Sequence, residues 1–453
     1  MKKPNIIFIF SDQQRWDTCG CYDENSRELN VTPNIDKMAE EGVLFTHAFT
    51  CQPVCGPARS CLQTGVYATE TGCYRNGIAL PITEKNIANY FSRNGYEVGY
   101  IGKWHLASTM GPSKEKIEKA ISFVRKGVPP ERRGGYKDFW LASDLLEFTS
   151  HGYDGFLYDH DRKKVKFKGY RVDCLTDFLL EYLDTRDGKK PFFLFVSYLE
   201  PHHQNDHNVF EGPDGSKEGF KDFKIPGDLK DTSGDWRENY PDYLGCCNSI
   251  DQNVQRINSK LEELGIKNNT ILVYTSDHGC HFKTRNGEYK RSCHESSIRI
   301  PLIIQGLDLF NGGKKISDLV SLIDLPPTLL YAAGIDIPKH MKGSPLQELV
   351  KGTAKNWPQE VFIQISESQI GRAIRTKKWK YSVKSHKSGI LYSSASKYKE
   401  DFLYDLEKDF HERNNLVKDP KYTEVRRELA EILKRRMAEA GETIPIIKSL
   451  GEK

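Results

Sequence analysis

Four times along the chain a short apolar run stops abruptly at ionisable residues, and this repetition restricts the possible folds more than any other feature. Asn5–Phe10 runs into Asp12-Gln13, and Gly95–Ile101 runs into Lys103-Trp104-His105. Pro191–Leu199 runs into Glu200-Pro201-His202-His203, and Thr270–Thr275 runs into Asp277-His278-Gly279. Near-continuous apolar runs of this length, separated by helical stretches, predict buried parallel strands of an α/β sheet. Open α/β sheets bind ligands beyond the carboxyl ends of their strands. The four polar clusters are therefore expected together, on one edge of one sheet.

Helices are expected between the strands. Thr32-Pro33-Asn34 opens one that runs to about Glu41, with Gly42 as its stop, and Thr83 caps another that ends near Asn94-Gly95. Tyr170–Asp184 and Tyr243–Leu264 carry apolar residues at helical spacing. The stretch from Asn205 to Trp236 is rich in Gly, Asp, Lys and Pro and reads as a long surface loop near the mouth of the site. A polar linker at Gly352–Pro358 divides the chain into a large domain over 1–355 and a smaller one over 356–453. In the smaller part, strand-like pieces at Glu360–Ser366, Ala373–Thr376, Trp379–Val383 and Phe402–Asp405 precede an amphipathic helix from Tyr422 to Ala440. That pattern predicts a small antiparallel sheet with a helix.

At 453 residues the chain can bury a large core. Its net charge of +4 is too small to argue for a nucleic-acid partner. The basic runs Arg162–Lys168 and Arg372–Lys387 read as solvated faces, or else as local attraction for a polyanionic substrate. No segment reaches the roughly 18 apolar residues of a membrane span, so no membrane partner is expected. Eleven cysteines at irregular spacings suit free thiols in a reducing compartment, which makes a cytoplasmic location the expectation.

One cysteine stands apart. Cys55 opens C-G-P-A-R-S-C-L-Q-T-G, in which Pro57 suits the first turn of a helix. Cys55 would then lie at a helix N-terminus, where unpaired N–H groups favour an anion, with Arg59 adding positive charge one turn on. Asp12, Gln13, Asp277 and His278, at two strand ends, form an oxygen-rich set suited to a hard divalent cation.

The Cys55 stretch resembles the C-x-P-x-R…T-G signature of type I sulfatases, members of the alkaline-phosphatase-like superfamily, through Cys55, Pro57, Arg59, Thr64 and Gly65. G-K-W-H-L at Lys103–His105, L-E-P-H-H at His202 and the run F-L-Y-D-L-E-K-D-F-H-E-R-N-N-L also resemble motifs of that family, in the same order. The resemblance implies an alkaline-phosphatase-like α/β fold: a mixed, mostly parallel sheet flanked by helices, with a smaller C-terminal antiparallel-sheet-plus-helix subdomain. It implies conversion of Cys55 to formylglycine by a sulfatase-maturating enzyme, and one Ca2+ held by Asp12, Gln13, Asp277, His278 and residue 55. The family commonly has a second Asp where this chain has Gln13.

The implied catalytic set is Cys55, Arg59, Lys103, His105, His202 and Lys290, with His203 beside His202 as a competitor for the proton-donor role. Lys290 lies five residues before Glu295, the spacing of the family's sulfate-binding lysine. Asn76, Arg285 and Arg291 are candidate substrate contacts. The implied reaction is hydrolysis of a sulfate ester on a small sulfated saccharide, with hexuronate 2-O-sulfates of glycosaminoglycans as the narrower expectation. A phosphodiesterase or phosphonate monoester hydrolase on the same scaffold is an alternative, as is an unmatured binding protein.

Overall fold

In the computed structural model, residues 3–111 and 120–449 are described. The strands of the main sheet are β1 (Asn5–Ser11), β2 (Val43–Phe49), β3 (Glu97–Lys103), β4 (Phe139–Ser143), β5 (Asp154–Tyr158), β6 (Lys164–Lys168), β7 (Phe192–Ser197), β8 (Thr270–Ser276), β9 (Arg299–Ile300), β10 (Leu302–Gln305) and β11 (Lys314–Ser321). They assemble in the order β11-β2-β10-β8-β1-β7-β3-β4-β5-β6, with β9 paired to β2.

The four strands expected from the sequence are consecutive in this order, β8-β1-β7-β3, and all are parallel. Their continuous apolar character follows from burial on both faces. Ile6, Phe8 and Phe10 of β1 enter one core cluster, while Ile7 and Ile9 enter the other. Aromatic stacking ties the centre together across strands. Phe8 stacks on Phe195 (centroids 4.6 Å apart), Phe195 on Tyr100 (5.0 Å) and Tyr100 on Trp140 (5.5 Å). The sheet is mixed because β10 runs antiparallel to both β8 and β2, and the β5–β6 hairpin is antiparallel.

The helix Pro33–Glu41 ends at Gly42, as expected, and Arg171–Thr185 lies within a residue of its predicted bounds. Two helices differ from expectation. The one assigned to Thr83 begins at Ile87, with Asn86 in the capping position, because Thr83 spends its hydroxyl on a turn at Lys85. The helix expected from Tyr243 begins at Trp236 and passes through Pro241, whose ring nitrogen supplies no N–H to the helical ladder.

The C-terminal sheet contains β12 (Glu360–Ile365), β13 (Ile370–Thr376), β14 (Trp379–Ser385), β15 (Lys397–Asp405) and β16 (Ile446–Lys448), in that order. Its first four strands are antiparallel, and the helix Thr423–Glu439 follows them. The short edge strand β16, not foreseen from the sequence, pairs in parallel with β15. Phe49 of the main sheet packs with Val361, Ile363, Ile365 and Ala373 of this subdomain.

The two basic runs prove different. Lys164, Lys166 and Lys168 are exposed on the sheet's edge strand. Arg372, Arg375 and Lys380 are buried and paired instead, Arg372 with Glu442 and the other two with Glu295. These three form an interior ion-pair network, while Lys377, Lys384 and Lys387 of the same stretch are exposed. All eleven cysteines are free thiols, and every one except Cys21 is buried.

Candidate active site

The helix Cys55–Thr64 starts after Val54, which is extended, and ends at Gly65 with φ 72°. Cys55 is its first residue and Pro57 its third, so the free N–H groups of the first turn surround the cysteine. One of them, on Gly56, donates to Asn76 Oδ1 at 2.9 Å. A Cβ at Gly56 would stand 3.0 Å from that oxygen, which explains the glycine.

The Cys55 sulfur is the meeting point of the strand ends. Lys290 Nζ lies 2.9 Å from it, His278 Nε2 3.3 Å and Asp12 Oδ1 3.5 Å. His105 and His202 line the same cavity as Cys55. Burial alone would push the thiol pKa up, but Lys290, Lys103 and His278 outweigh it and hold the thiol well below its ordinary value.

Asp12 follows β1, and Asp277 and His278 follow β8, so the parallel register of those strands sets the carboxylates side by side. All three residues are fully buried. His278 Nδ1 donates to the Gly279 carbonyl at 2.9 Å, which leaves Nε2 facing both carboxylates, 3.5 Å from Asp277 Oδ1 and 3.8 Å from Asp12 Oδ1. Gln13 is held in the left-handed region at φ 69°. Its Nε2 donates to Cys280 Sγ, and its buried Oε1 has no hydrogen-bond partner in the protein. Burial and the neighbouring Asp12 push the Asp277 carboxyl up, against His278 and Arg59. Asp12, Cys55, Asp277 and His278 present ligand atoms within 4.8 Å of one another. Two crowded carboxylates, an imidazole nitrogen and an orphaned amide oxygen fit a divalent cation.

Arg59 and Lys103 stand behind this set. The Arg59 guanidinium contacts Asp12 Oδ2 (3.0 Å) and Asp277 Oδ2 (3.2 Å), and its other nitrogen donates to Ser197 Oγ and the Lys103 carbonyl. Lys103 Nζ pairs with Asp12 (2.9 Å) and Glu147 (3.2 Å). The two terminal nitrogens of Arg59 are thus engaged from behind the carboxylates, and Arg59 is absent from the cavity lining.

That cavity, of about 380 Å³, opens in front of Cys55. Asn76, His105, Glu147, His202, His203, Lys290 and Arg291 contribute to its wall. His202 Nδ1 is engaged with the His203 carbonyl at 2.6 Å, which leaves Nε2 free for the site. His203 stacks instead between His202 and Tyr289, at centroid distances of 4.5 and 4.3 Å. Arg291 is held by Glu288 and, at 2.5 Å, by Glu367 from the C-terminal subdomain.

Two expectations do not hold. Arg285 is turned away and donates to the carbonyls of His411 and Glu412. Nearby, Lys283 pairs with Asp235 at 2.9 Å. Of the Asn205–Trp236 loop, only Asn205 reaches this cavity wall.

Three site residues went unnoticed in the sequence. Glu147 pairs with Lys103, and Asp144 accepts the backbone N–H groups of Ala107 and Ser108, fixing the turn that carries His105. A signal for both existed, since F-W-L-A-S running into Asp144 repeats the pattern of the other strand ends. Glu367 had no such signal.

The sulfatase family profile matches residues 4–335, and a profile described as N-sulphoglucosamine sulphohydrolase, C-terminal, matches 287–439. The chain is 29% identical to an ulvan-active sulfatase of Formosa agariphila, over 97% of this chain and 82% of that protein. It is 24% identical to an N-acetylglucosamine-6-O-sulfatase of Bacteroides thetaiotaomicron, over 95% and 86%. The crystal structure of yidJ from Bacteroides fragilis superposes with a TM-score of 0.80 at 27% identity, covering 98% of this chain and 97% of that one.

Proposed function

The chain belongs to the sulfatase family, and we propose that it hydrolyses the sulfate ester of a carbohydrate at the cavity in front of Cys55. The convergence of Lys290, His278 and Asp12 on one sulfur at a helix N-terminus, with His105 and His202 on the same cavity wall, carries this reading. Matured to formylglycine, residue 55 supplies a hydrated-aldehyde oxygen as nucleophile, and a divalent cation, Ca2+ in our reading, supplies charge to it from the Asp12, Gln13, Asp277 and His278 set.

The other steps belong to side chains of the chain itself. Lys290, whose Nζ already approaches atom γ of residue 55, binds an equatorial sulfate oxygen and offsets the charge that grows there. Lys103 holds the Asp12 carboxylate from behind and adds positive potential to the same pocket. Arg59 bridges both carboxylates and favours their ionised forms, which is a positioning role. His202 donates Nδ1–H to a carbonyl, so it carries a proton on Nε2 only as the imidazolium, and in that form delivers it to the leaving alkoxide oxygen. His105, on the same cavity wall, accepts the proton that must leave residue 55 when sulfate departs.

The relatives that act on ulvan and on N-acetylglucosamine 6-O-sulfate support a saccharide as the alcohol part. Arg291, next to Lys290 on the wall, supports a second anionic group on that saccharide, such as the carboxylate of a hexuronate 2-O-sulfate. The test is desulfation of defined sulfated mono- and disaccharides by protein co-expressed with a maturase. Sulfate release from saccharides and none from phosphate or phosphonate esters is the expected result. Preferential turnover of phosphate esters would overturn the reading.

A further inference from the structure

The loop that carries His202 into the cavity also bears a second group of metal-ligating side chains, on the outer surface. His151 Nε2 and Asp206 Oδ2 lie 2.9 Å apart, and the His151 and His207 rings are parallel with centroids separated by 4.4 Å. One ligand atom from each of the three lies within 4.8 Å of the others. We propose that His151, Asp206 and His207 bind a first-row transition ion of the zinc type, which straps the 201–211 loop to the 149–154 loop.

The donor set selects the class of ion. Two imidazoles and one carboxylate suit Zn2+ or Co2+ in a tetrahedral site with one open position, not Ca2+, which takes six or more oxygens. Two of the three ligands, His207 and Asp206, are also held by outer partners. Glu211 Oε1 meets His207 Nδ1 at 2.5 Å, which leaves Nε2 as the ligating nitrogen. Gln204 Nε2 donates to Asp206 Oδ1 at 2.8 Å, which leaves Oδ2 for the ion. Glu211 is fixed in turn, since its Oε2 accepts the Gly152 N–H (2.6 Å) and its carbonyl accepts the Tyr170 hydroxyl (2.8 Å). Carboxylates that orient ligating imidazoles in this way are the usual outer shell of a metal centre.

Exposure is compatible with an exchangeable ion. The three side chains are 44%, 45% and 50% accessible, so an ion and a water ligand can reach them. Ion pairs at such exposure contribute little by themselves. The parallel rings must rotate for their lone pairs to converge, and half-exposed side chains have that freedom. Glu147 and Phe148, which lead into the first loop, and His202, His203 and Asn205 of the second line the sulfate cavity. An ion across them would stiffen the wall that holds His202 without touching the substrate.

The experiment titrates Co2+, then Zn2+, into Cys55→Ala protein stripped of transition metals and saturated with Ca2+, so that the residue 55 thiol contributes nothing. One equivalent of Co2+ with tetrahedral d–d absorption, displaced by Zn2+, is expected. His151→Ala and His207→Ala should abolish that absorption. Glu211→Gln keeps all three ligands and should weaken binding by about 10- to 100-fold. The proposal is overturned if no tetrahedral absorption develops, or if the His151→Ala/His207→Ala double variant binds Zn2+ as tightly as its parent.

Discussion

The Arg59 guanidinium lies 3.0 Å from Asp12 and 3.2 Å from Asp277, so one buried cation bridges the carboxyl ends of two adjacent parallel strands. A buried charge whose partner is removed is left uncompensated, and such losses cost about 3–5 kcal/mol. Arg59→Ala should therefore lower unfolding free energy by that order in denaturant titrations and weaken calcium binding. Arg59→Lys, which keeps the charge and loses the fork, should sit between the two. An Arg59→Ala protein as stable as the parent would show that the bridge is not structural.

The neighbouring histidines should separate by leaving group. In the proposed reaction His202 donates to the departing oxygen, so His202→Ala should slow alkyl sulfate saccharides by about 100- to 10,000-fold. An aryl sulfate, whose phenolate leaves without a proton, should lose far less. His203→Ala should lower kcat only modestly for both, because that ring packs against Tyr289. Steady-state rates of the two variants on both substrates decide between them.

Calcium should stabilise the fold as well as serve the reaction. A ligand present at 100 times its Kd adds about 2.7 kcal/mol to the native state. Chelation should accordingly lower Tm, and added Ca2+ should restore it. Asp277→Ala should remove the response to calcium altogether, and a full calcium response in that variant would reject the site.

Arg291 and Arg285, six residues apart, should behave as opposites. Arg291→Ala should cost about 10- to 100-fold in kcat/KM on a sulfated saccharide bearing a carboxylate and little on a plain aryl sulfate. Arg285→Ala should leave that ratio alone, since its donors are spent on the carbonyls of His411 and Glu412. Equal losses on both substrates for Arg291→Ala would assign it to the fold.

Asp324 offers a test away from the site. Its buried carboxyl accepts N–H groups from Ser321 and Ser344, yet burial prevails and raises its pKa from 3.8 to about 6. The folded state thus binds the proton more tightly than the unfolded chain does. The resulting stability is fully present below about pH 4 and is lost as pH rises through 6, up to about 3 kcal/mol. Unfolding free energies of wild type minus Asp324→Asn should fall over that window and level off above pH 7. A flat difference would show that the carboxyl is ionised throughout.

Much of the site was legible because strand ends announce themselves. A continuous apolar run needs burial on both faces, and polar residues directly after it must lie at the sheet's edge. Asp12, Lys103, His202 and Asp277 were found in this way, and the parallel order β8-β1-β7-β3 gathers them on one side. The helix at Cys55 was equally local, written in Pro57 and Gly65. The expected start at Thr83 failed for a local reason too, since its hydroxyl serves a turn before the helix begins.

What the chain's own sequence determined was therefore the period of each segment, the faces it must bury and the residues stranded at its ends. Which of those residues touch was decided only by tertiary structure. Lys290 meets Cys55 across 235 residues, Asp12 meets it across 43, and Glu367 reaches Asn76 from the other subdomain across 291. The same holds for the directions of Arg59 and Arg285. A guanidinium turns towards whichever carboxylates or carbonyls the strand order brings within about 3 Å, and nothing in the neighbouring residues records which those will be.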